Sequence, residues 1–262
     1  MEHSGYLFAA TAEGEQQRLA MQAGWWDPIT FEQLTATGVG AGWRCLEVGA
    51  GTGSVAEWLG RQVGARGHVV ATDTETRFLE HLSTPNLEVR HHDVVADPIE
   101  ESAYDLIHAR LVLMHLPGRV PAVARLTAAL RPGGWLVLED YDMVTFGHCH
   151  PADPTWTAVT AACGKAIDGA GGDRAFGIAL AATLLGTGLT GVETQGTVLF
   201  KRGPELAAMG MRTLEQLRKP VLGAGAVSSD QFDYAVGLMN GSAPSRLFAL
   251  PTLVSARGRS QG

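Results

Sequence analysis

The stretch Cys45–Leu59, CLEVGAGTGSVAEWL, decides the fold. An apolar run (Cys45, Leu46, Val48) enters Gly49-Ala50-Gly51-Thr52-Gly53, and an amphipathic stretch carrying Val55, Ala56, Trp58 and Leu59 leaves it. A short apolar run, a glycine-rich turn and a 3.6-residue periodicity read as strand, tight turn and helix. On both sides of this unit, from Trp43 onward, short apolar runs alternate with helical stretches, which is the pattern of βαβ units and a parallel sheet.

The expected strands are 44–48, 68–72, 87–91, 104–108, 135–139, 191–200 and 252–257, with helices starting at Ser54, Thr76, Val120 and Arg174. A helical segment precedes them to about Ala36. Two further helices, PELAAMGMRTLEQLRK and SSDQFDYAVGLM, separate the last two strands. The expected organisation is an N-terminal helical lid segment (1–38), a ligand-binding core (39–145, completed by 171–203 and 250–262), and helical lid insertions over an acceptor pocket (146–170 and 204–249).

Composition narrows the function classes. The 262 residues are 45% hydrophobic and 18% charged, with 33 glycines and no repeat; mean hydropathy is close to zero. Such a chain supports one large packed core. A net charge of −7 argues against a polyanion-binding face, so nucleic acid is not the expected partner. The N-terminal stretch has no basic segment leading into an apolar run, and no window approaches the length of a spanning helix, so a cytoplasmic protein without a membrane partner is expected. Three cysteines imply no disulfide framework. Oligomeric state is not legible; a homodimer remains open.

In an open parallel sheet, ligands sit at the carboxyl ends of the strands where strand order reverses, and the glycine turn after the first strand lies at that crevice. Turns of this kind hold either the pyrophosphate of a dinucleotide or the amino-acid end of S-adenosylmethionine. The glycines here alternate, G-x-G-x-G, rather than following G-x-G-x-x-G. Glu47, at the end of the strand, would repel a pyrophosphate and suits an ammonium group. Asp73, about 20 residues past the turn, is placed to accept both ribose hydroxyl hydrogens. Asp93, at the end of the third strand, can accept a hydrogen bond from an adenine amino group while the Val94 amide serves a ring nitrogen.

The strings LEVGAGTG, VVATDTE, HHDVV, YDLIHARLVLMHLP and LRPGGWLVLED together resemble the ordered motifs of class I S-adenosylmethionine-dependent methyltransferases. The YLF opening, WWDPITFEQLTATGVGAGWRCLEVGAGTGS and VSARGR are similar to actinobacterial-type small-molecule members. The resemblance implies an α/β fold: a Rossmann-like, doubly wound, seven-stranded sheet, mostly parallel with a reversed last strand, under a helical lid. It implies S-adenosyl-L-methionine as cofactor. Glu47, Gly49, Ala50, Gly51 and Gly53 would surround its methionine end, Asp73 and Thr74 the ribose, Asp93 and Val94 the adenine, and Ala109 and Arg110 the region of the sulfonium. The activity implied is methyl transfer to a small-molecule acceptor of secondary metabolism, with oxygen favoured over nitrogen or carbon. The alternative is a cofactor-binding protein on the same scaffold that promotes cyclisation or regulates without methyl transfer.

Rival readings fail on residues. A short-chain reductase needs Tyr-x-x-x-Lys, and Tyr6, Tyr104, Tyr141 and Tyr234 all lack the lysine. A base methyltransferase needs Asn/Asp-Pro-Pro-Tyr after the fourth strand, where this chain has HARLVL. If the acceptor is a hydroxyl, a histidine is the usual base. His148, in the loop after the fifth strand, is preferred over His115 of MHLP, which belongs to the shared scaffold. His150 is a neighbouring loop histidine. Residues 148–150 offer metal ligands without a second pair to complete a set, so no metal is expected. Glu139, Asp140 and Asp142 could orient an acceptor or form a solvated cluster. Trp25, Trp26 and Phe31 are read as packing the N-terminal helix on the core.

Overall fold

In the computed structural model, which describes residues 12–242 and 245–262, the chain opens with helix α1 (Ala12–Thr35) and enters β1 (Arg44–Val48) and α2 (Ser54–Val63). There follow β2 (His68–Asp73), β3 (Leu87–His91), β4 (Tyr104–Arg110), α3 (Arg119–Ala128) and β5 (Leu130–Asp142). The second half contains β6 (Cys149–His150), α4 (Pro154–Gly169), α5 (Phe176–Gly186), β7 (Thr190–Thr197), β8 (Phe200–Arg202), α6 (Gly203–Gly223), α7 (Ser229–Gly237), β9 (Leu247–Ala249) and β10 (Thr252–Arg259). The Tyr6-Leu7-Phe8 opening lies outside the described residues.

The main sheet has the order β3-β2-β1-β4-β5-β10-β7. Strands β1 to β5 are parallel, and β10 runs antiparallel to both β5 and β7. This is the expected seven-stranded, mostly parallel sheet with a reversed last strand. Order reverses between β1 and β4, which opens a crevice at their carboxyl ends.

Each central strand is apolar on both faces because helices cover both. Leu46, Val48, Ile107, Leu136 and Leu138 face α3 and α5. Cys45, Val69, Leu106 and Val137 face α2 and the end of α1. A third apolar cluster is built by the helices themselves: Trp26 of α1, Trp156 and Val159 of α4, Leu206, Leu214 and Leu217 of α6, and Phe232 of α7 close on Phe248 and Leu250. Trp26 is fully buried there, and Phe31 stacks on Trp58 with ring centroids 4.8 Å apart, so these aromatics pack α1 as expected.

Two elements differ from expectation. The helix expected from Thr76 is a single turn, Thr76–Leu79, and Pro85 bars a helix from running on past Thr84. The strand expected over 191–200 breaks in two: β7 joins the main sheet, whereas β8 joins β9 and β6 in a separate three-stranded sheet.

Leu106 sits fully buried at the centre of β4. Leu106→Ala is expected to lower unfolding free energy by about 2 to 5 kcal/mol in urea denaturation, the cost of a core cavity; a loss below about 1 kcal/mol would show that the sheet centre collapses around the gap.

Candidate active site

A cavity of about 1140 Å³ opens at the carboxyl edge of the sheet, where strand order reverses. One half is built from strand ends. Glu47 lies near the end of β1 and Gly49, Ala50 and Gly51 follow it, Asp73 ends β2 and Thr74 follows it, Asp93 and Val94 follow β3, and Arg110 ends β4; all line the cavity. The fold therefore brings together nearly every residue expected for a cofactor.

Two expected residues do not line it. Gly53, with φ of +83°, caps the start of α2, where an added Cβ would meet Leu82 Cδ1 at 2.6 Å; its role is packing. Ala109 is buried in β4 against Val48 of β1, and Arg110 and Leu111 take the cavity wall instead.

The turn itself fits a ligand that approaches the backbone. Gly49 adopts φ of +66°, a region an L side chain rarely adopts, and a Cβ there would fall 2.2 Å from Val112 Cγ2. Asp73 braces the turn: its Oδ2 accepts the Gly51 N–H at 2.9 Å and its Oδ1 the Glu75 N–H at 3.0 Å. The Thr74 N–H is a third backbone donor to this carboxylate, whose remaining acceptor capacity suits a ligand hydroxyl. Burial pushes the Asp73 carboxyl above its ordinary range. Asp93 Oδ1 accepts the Val95 N–H at 2.8 Å, ordering the third strand end.

Beneath the turn lies a network whose central residue the sequence reading missed. His108 of β4 is fully buried, with Nδ1 2.7 Å from Glu47 Oε2 and Nε2 3.3 Å from Glu139 Oε2. Sheet register explains the meeting. Glu47 and His108 are register partners, His108 is opposite Val137, and Glu139 lies two residues further on the same face of β5. Ser255, the register partner of Glu139 on β10, donates to Glu139 Oε1, and Thr30 of α1 donates to Glu139 Oε2. Arg110 donates to Thr30 Oγ1 at 2.7 Å and to Asp27 Oδ1 at 2.8 Å, both on α1.

Although burial disfavours an imidazolium, the Glu47 and Glu139 carboxylates raise the His108 pKa to about 9. Burial pushes Glu47 up; Glu139, which is also buried, is held down by the hydrogen bond from His108. Two basic side chains, His108 and Arg110, thus meet three carboxyl groups, Glu47, Glu139 and Asp27, so acidic groups outnumber basic ones. An ammonium at Glu47 would even the count. The signal in the sequence was a histidine inside an otherwise apolar strand, legible only once register sets it opposite Glu47.

The other half of the cavity is formed by the helical layer and the segment after β4. His115 lines it, and burial, reinforced by the nearby Arg18 and Arg119 charges, lowers its pKa to about 4, so it is neutral at ordinary pH. His148 does not line this cavity. It is exposed beside Cys149, His150, Phe200 and Leu247 in a separate shallow pocket, because β6 carries the chain to the small sheet; the expectation of a base there is corrected. Asp140 is buried behind the wall facing the backbone N–H groups of Leu113 and Met114, which leaves Tyr141 as the end of β5 that faces the cavity. Asp142 lies off it, and Glu139 belongs to the network below.

A carboxylate at each of three strand ends, in a cavity continuous with a second chamber, is the lining expected of a ligand site in a doubly wound fold. A methyltransferase domain model matches residues 46–136. Methyltransferase str3 of Strobilurus tenacellus is 26% identical over 224 residues, covering 83% of this chain and 80% of its own length. Methyltransferase GfsG of Streptomyces halstedii is 30% identical over 134 residues, covering 44% of this chain and 48% of its own, so this chain spans about half of that relative. A candidate sarcosine dimethylglycine methyltransferase from Galdieria sulphuraria superposes with a TM-score of 0.57 at 16% identity, over 98% of this chain and 93% of its own. Over residues 46–136 the chain is thus similar to methyltransferase domains, and over most of its length to methyltransferase str3. No helix among the described residues is long and apolar enough to cross a membrane.

The sign of the His108 contribution is fixed by its raised pKa. The stabilisation is complete below the unfolded value of about 6.5 and is lost as pH rises through about 9. Wild-type stability is expected to fall between these values by on the order of 3 kcal/mol on account of this residue. His108→Gln should flatten that slope in denaturation curves taken across the window, and an unchanged slope would show that His108 is neutral in the fold.

Proposed function

We propose that the protein transfers a methyl group from S-adenosyl-L-methionine to an oxygen of a small-molecule acceptor of secondary metabolism. The observation that carries this reading is the single cavity, in which the strand-end half continues without a wall into a chamber between the sheet and the helical layer. Its volume of about 1140 Å³ exceeds the usual range for one ligand, about 300 to 1,000 Å³.

In this reading Glu47 takes the ammonium of the cofactor, Gly49, Ala50 and Gly51 approach its amino-acid end, and Asp73 and Thr74 hold the ribose. Asp93 accepts from the adenine amino group, and the Val94 amide donates to the ring. Arg110 stands by the transferred group but is already engaged by Asp27 and Thr30, so its part is to fix α1 over the site. When bound, the cofactor supplies a carbon already activated by a positive sulfur, and the protein's task is alignment and exclusion of water. Helices α1, α4 and α6 serve as the lid. His115, neutral throughout the working range, accepts the hydrogen bond of an acceptor hydroxyl and orients its lone pair. Oxygen is favoured over nitrogen because an ammonium in that chamber would find Glu15 already bound in two hydrogen bonds by Arg18.

Formation of S-adenosylhomocysteine in the presence of hydroxylated acceptors tests the reading, and cofactor binding without any turnover would favour the regulatory or cyclising alternative. Asp73→Ala is expected to weaken cofactor binding by about 1.5 to 3 kcal/mol, roughly ten- to a hundredfold, in calorimetry; unchanged affinity would remove Asp73 from the site. His115→Ala is expected to lower kcat about ten- to a hundredfold with little change in cofactor affinity. His148→Ala should leave kcat within about twofold, and a large loss there would return the base to the loop after β5.

A further inference from the structure

The chamber under the helical layer has a chemical character of its own. Its walls are apolar side chains from elements far apart in the chain: Leu19 of α1, Phe146 after β5, Leu206 and Leu214 of α6, Met239 after α7, and Leu250 before β10. Two charged residues of α1 face it among the described residues, Glu15 and Arg18, and they are matched to each other. Arg18 Nε donates to Glu15 Oε2 at 2.9 Å and Arg18 Nη2 to Glu15 Oε1 at 2.6 Å, with both side chains less than a tenth exposed. Gln216 of α6 adds a donor to the same carboxylate at 3.3 Å. The strand-end half holds the surplus of acidic groups; this half holds a matched pair.

A charged group carried into such a chamber would have to displace one partner of a buried bidentate pair or remain uncompensated, and either costs several kcal/mol. The chamber therefore selects against carboxylates, phosphates and ammonium groups and rewards apolar surface, at about 25 cal/mol per Å² removed from water.

One polar atom is aimed differently. Tyr141, the last cavity-facing residue of β5, lies at the seam where the sheet core and the helical core meet and packs against both. Its hydroxyl oxygen accepts the Trp26 Nε1–H at 2.8 Å and a longer hydrogen bond from Gln22 Nε2 at 3.4 Å. The indole nitrogen can only donate, so the tyrosine oxygen is the acceptor in that bond. The phenolic hydrogen is used by neither neighbour. The ring is held by an edge contact with Trp26, centroids 5.9 Å apart, and burial pushes the phenol above its ordinary pKa, so the hydrogen stays on the oxygen.

We propose that the chamber binds an uncharged, predominantly apolar acceptor that presents one oxygen to the Tyr141 hydroxyl. Tyr141 is the specificity-determining contact: it gives a hydrogen bond to that oxygen and, with Trp26 behind it, fixes the depth at which the acceptor stops. The inference rests on the methyl-transfer reading in assigning the strand-end half to the cofactor, and the test separates the two.

The probes are 2-naphthol, 2-methylnaphthalene and 2-naphthoate, which share an aromatic body and differ in carrying a hydroxyl, no polar atom or an anion. Binding is followed by naphthalene fluorescence with the full-length protein saturated in S-adenosylhomocysteine. The expected order of affinity is naphthol, then methylnaphthalene, then naphthoate, with naphthol at least tenfold tighter than naphthoate. Tyr141→Phe is expected to weaken naphthol about five- to tenfold, to the level of methylnaphthalene, while leaving methylnaphthalene and S-adenosylhomocysteine unchanged. Trp26→Phe, which removes the donor behind the phenol, should give a smaller loss in the same direction.

Naphthoate binding as tightly as naphthol, or a Tyr141→Phe variant that binds all three probes as the wild type does, would overturn the proposal. Displacement of S-adenosylhomocysteine by naphthol would also overturn it, since the probe would then occupy the strand-end half. If S-adenosylhomocysteine failed to bind while naphthol still bound in a Tyr141-dependent way, the methyl-transfer reading would fall and the apolar chamber would stand.

Discussion

The structure depends on one buried chain of polar contacts that runs from Asp27 through Arg110, Thr30, Glu139 and His108 to Glu47. It links α1 to β4, β5 and β1 and ends at the carboxylate that borders the glycine turn. Buried charges are costly alone and tolerated when each is paired and hydrogen-bonded. Here α1 supplies the groups that complete the pairing, Asp27 for Arg110 and Thr30 for Glu139. The N-terminal helix is thus held across the carboxyl edge of the sheet by the electrostatics of the site, as well as by the packing of Trp26 and Phe31.

That coupling explains why the cavity has two chemically different halves. Along the strand ends, the surplus of acidic groups and the exposed backbone of the turn face a space suited to a zwitterion and a nucleoside. Beyond Leu111, which takes a positive φ of 57° where the chain leaves β4, the wall is made by helices packed on one another. A non-glycine residue in that conformation is strained by an amount of order 1 to 3 kcal/mol. Its N–H bonds to the Glu139 carbonyl at 2.7 Å, so the sheet edge that carries the network also holds the bend. The bend redirects the chain from strand to the turn containing His115, and so sets the border between the two halves.

How far the sequence could be read follows from the range of the interactions involved. The βαβ alternation, the turn at Gly49 and the acidic residues at the strand ends are local patterns, and they predicted the sheet and most of the side chains that line the strand-end half of the cavity. Asp73 and Asp93 were legible because a carboxylate ending a parallel strand has only the crevice to face. His108 was not, since its meaning depends on register with β1 and β5, residues 61 and 31 positions away. His148 was misplaced for a related reason: the loop after β5 was assumed to fold back over the crevice, whereas residues 149–150 pair with β9 and lead the chain away from it. Gly53 and Ala109 belong to matching motifs yet do not line the cavity, a distinction that spacing alone does not make.

The chamber under the helical layer was the least legible part because no short segment encodes it. Its wall draws on residues from 15 to 251, brought together by the helical core around Trp156 and Phe248, whose rings meet edge to face with centroids 4.7 Å apart. Binary patterning of α4, α6 and α7 specifies that they bury an apolar stripe, but not whether the stripe faces another helix or an open space. In this chain it does both: Phe232 packs within the helical core, while Trp156, Leu206, Leu214 and Leu217 lie where that core meets the cavity. A helical layer built this way can change its inner side chains, and with them the lining of the chamber, without touching the strand ends. The polar chain beneath has no such freedom, because replacing any one member leaves a buried partner unpaired.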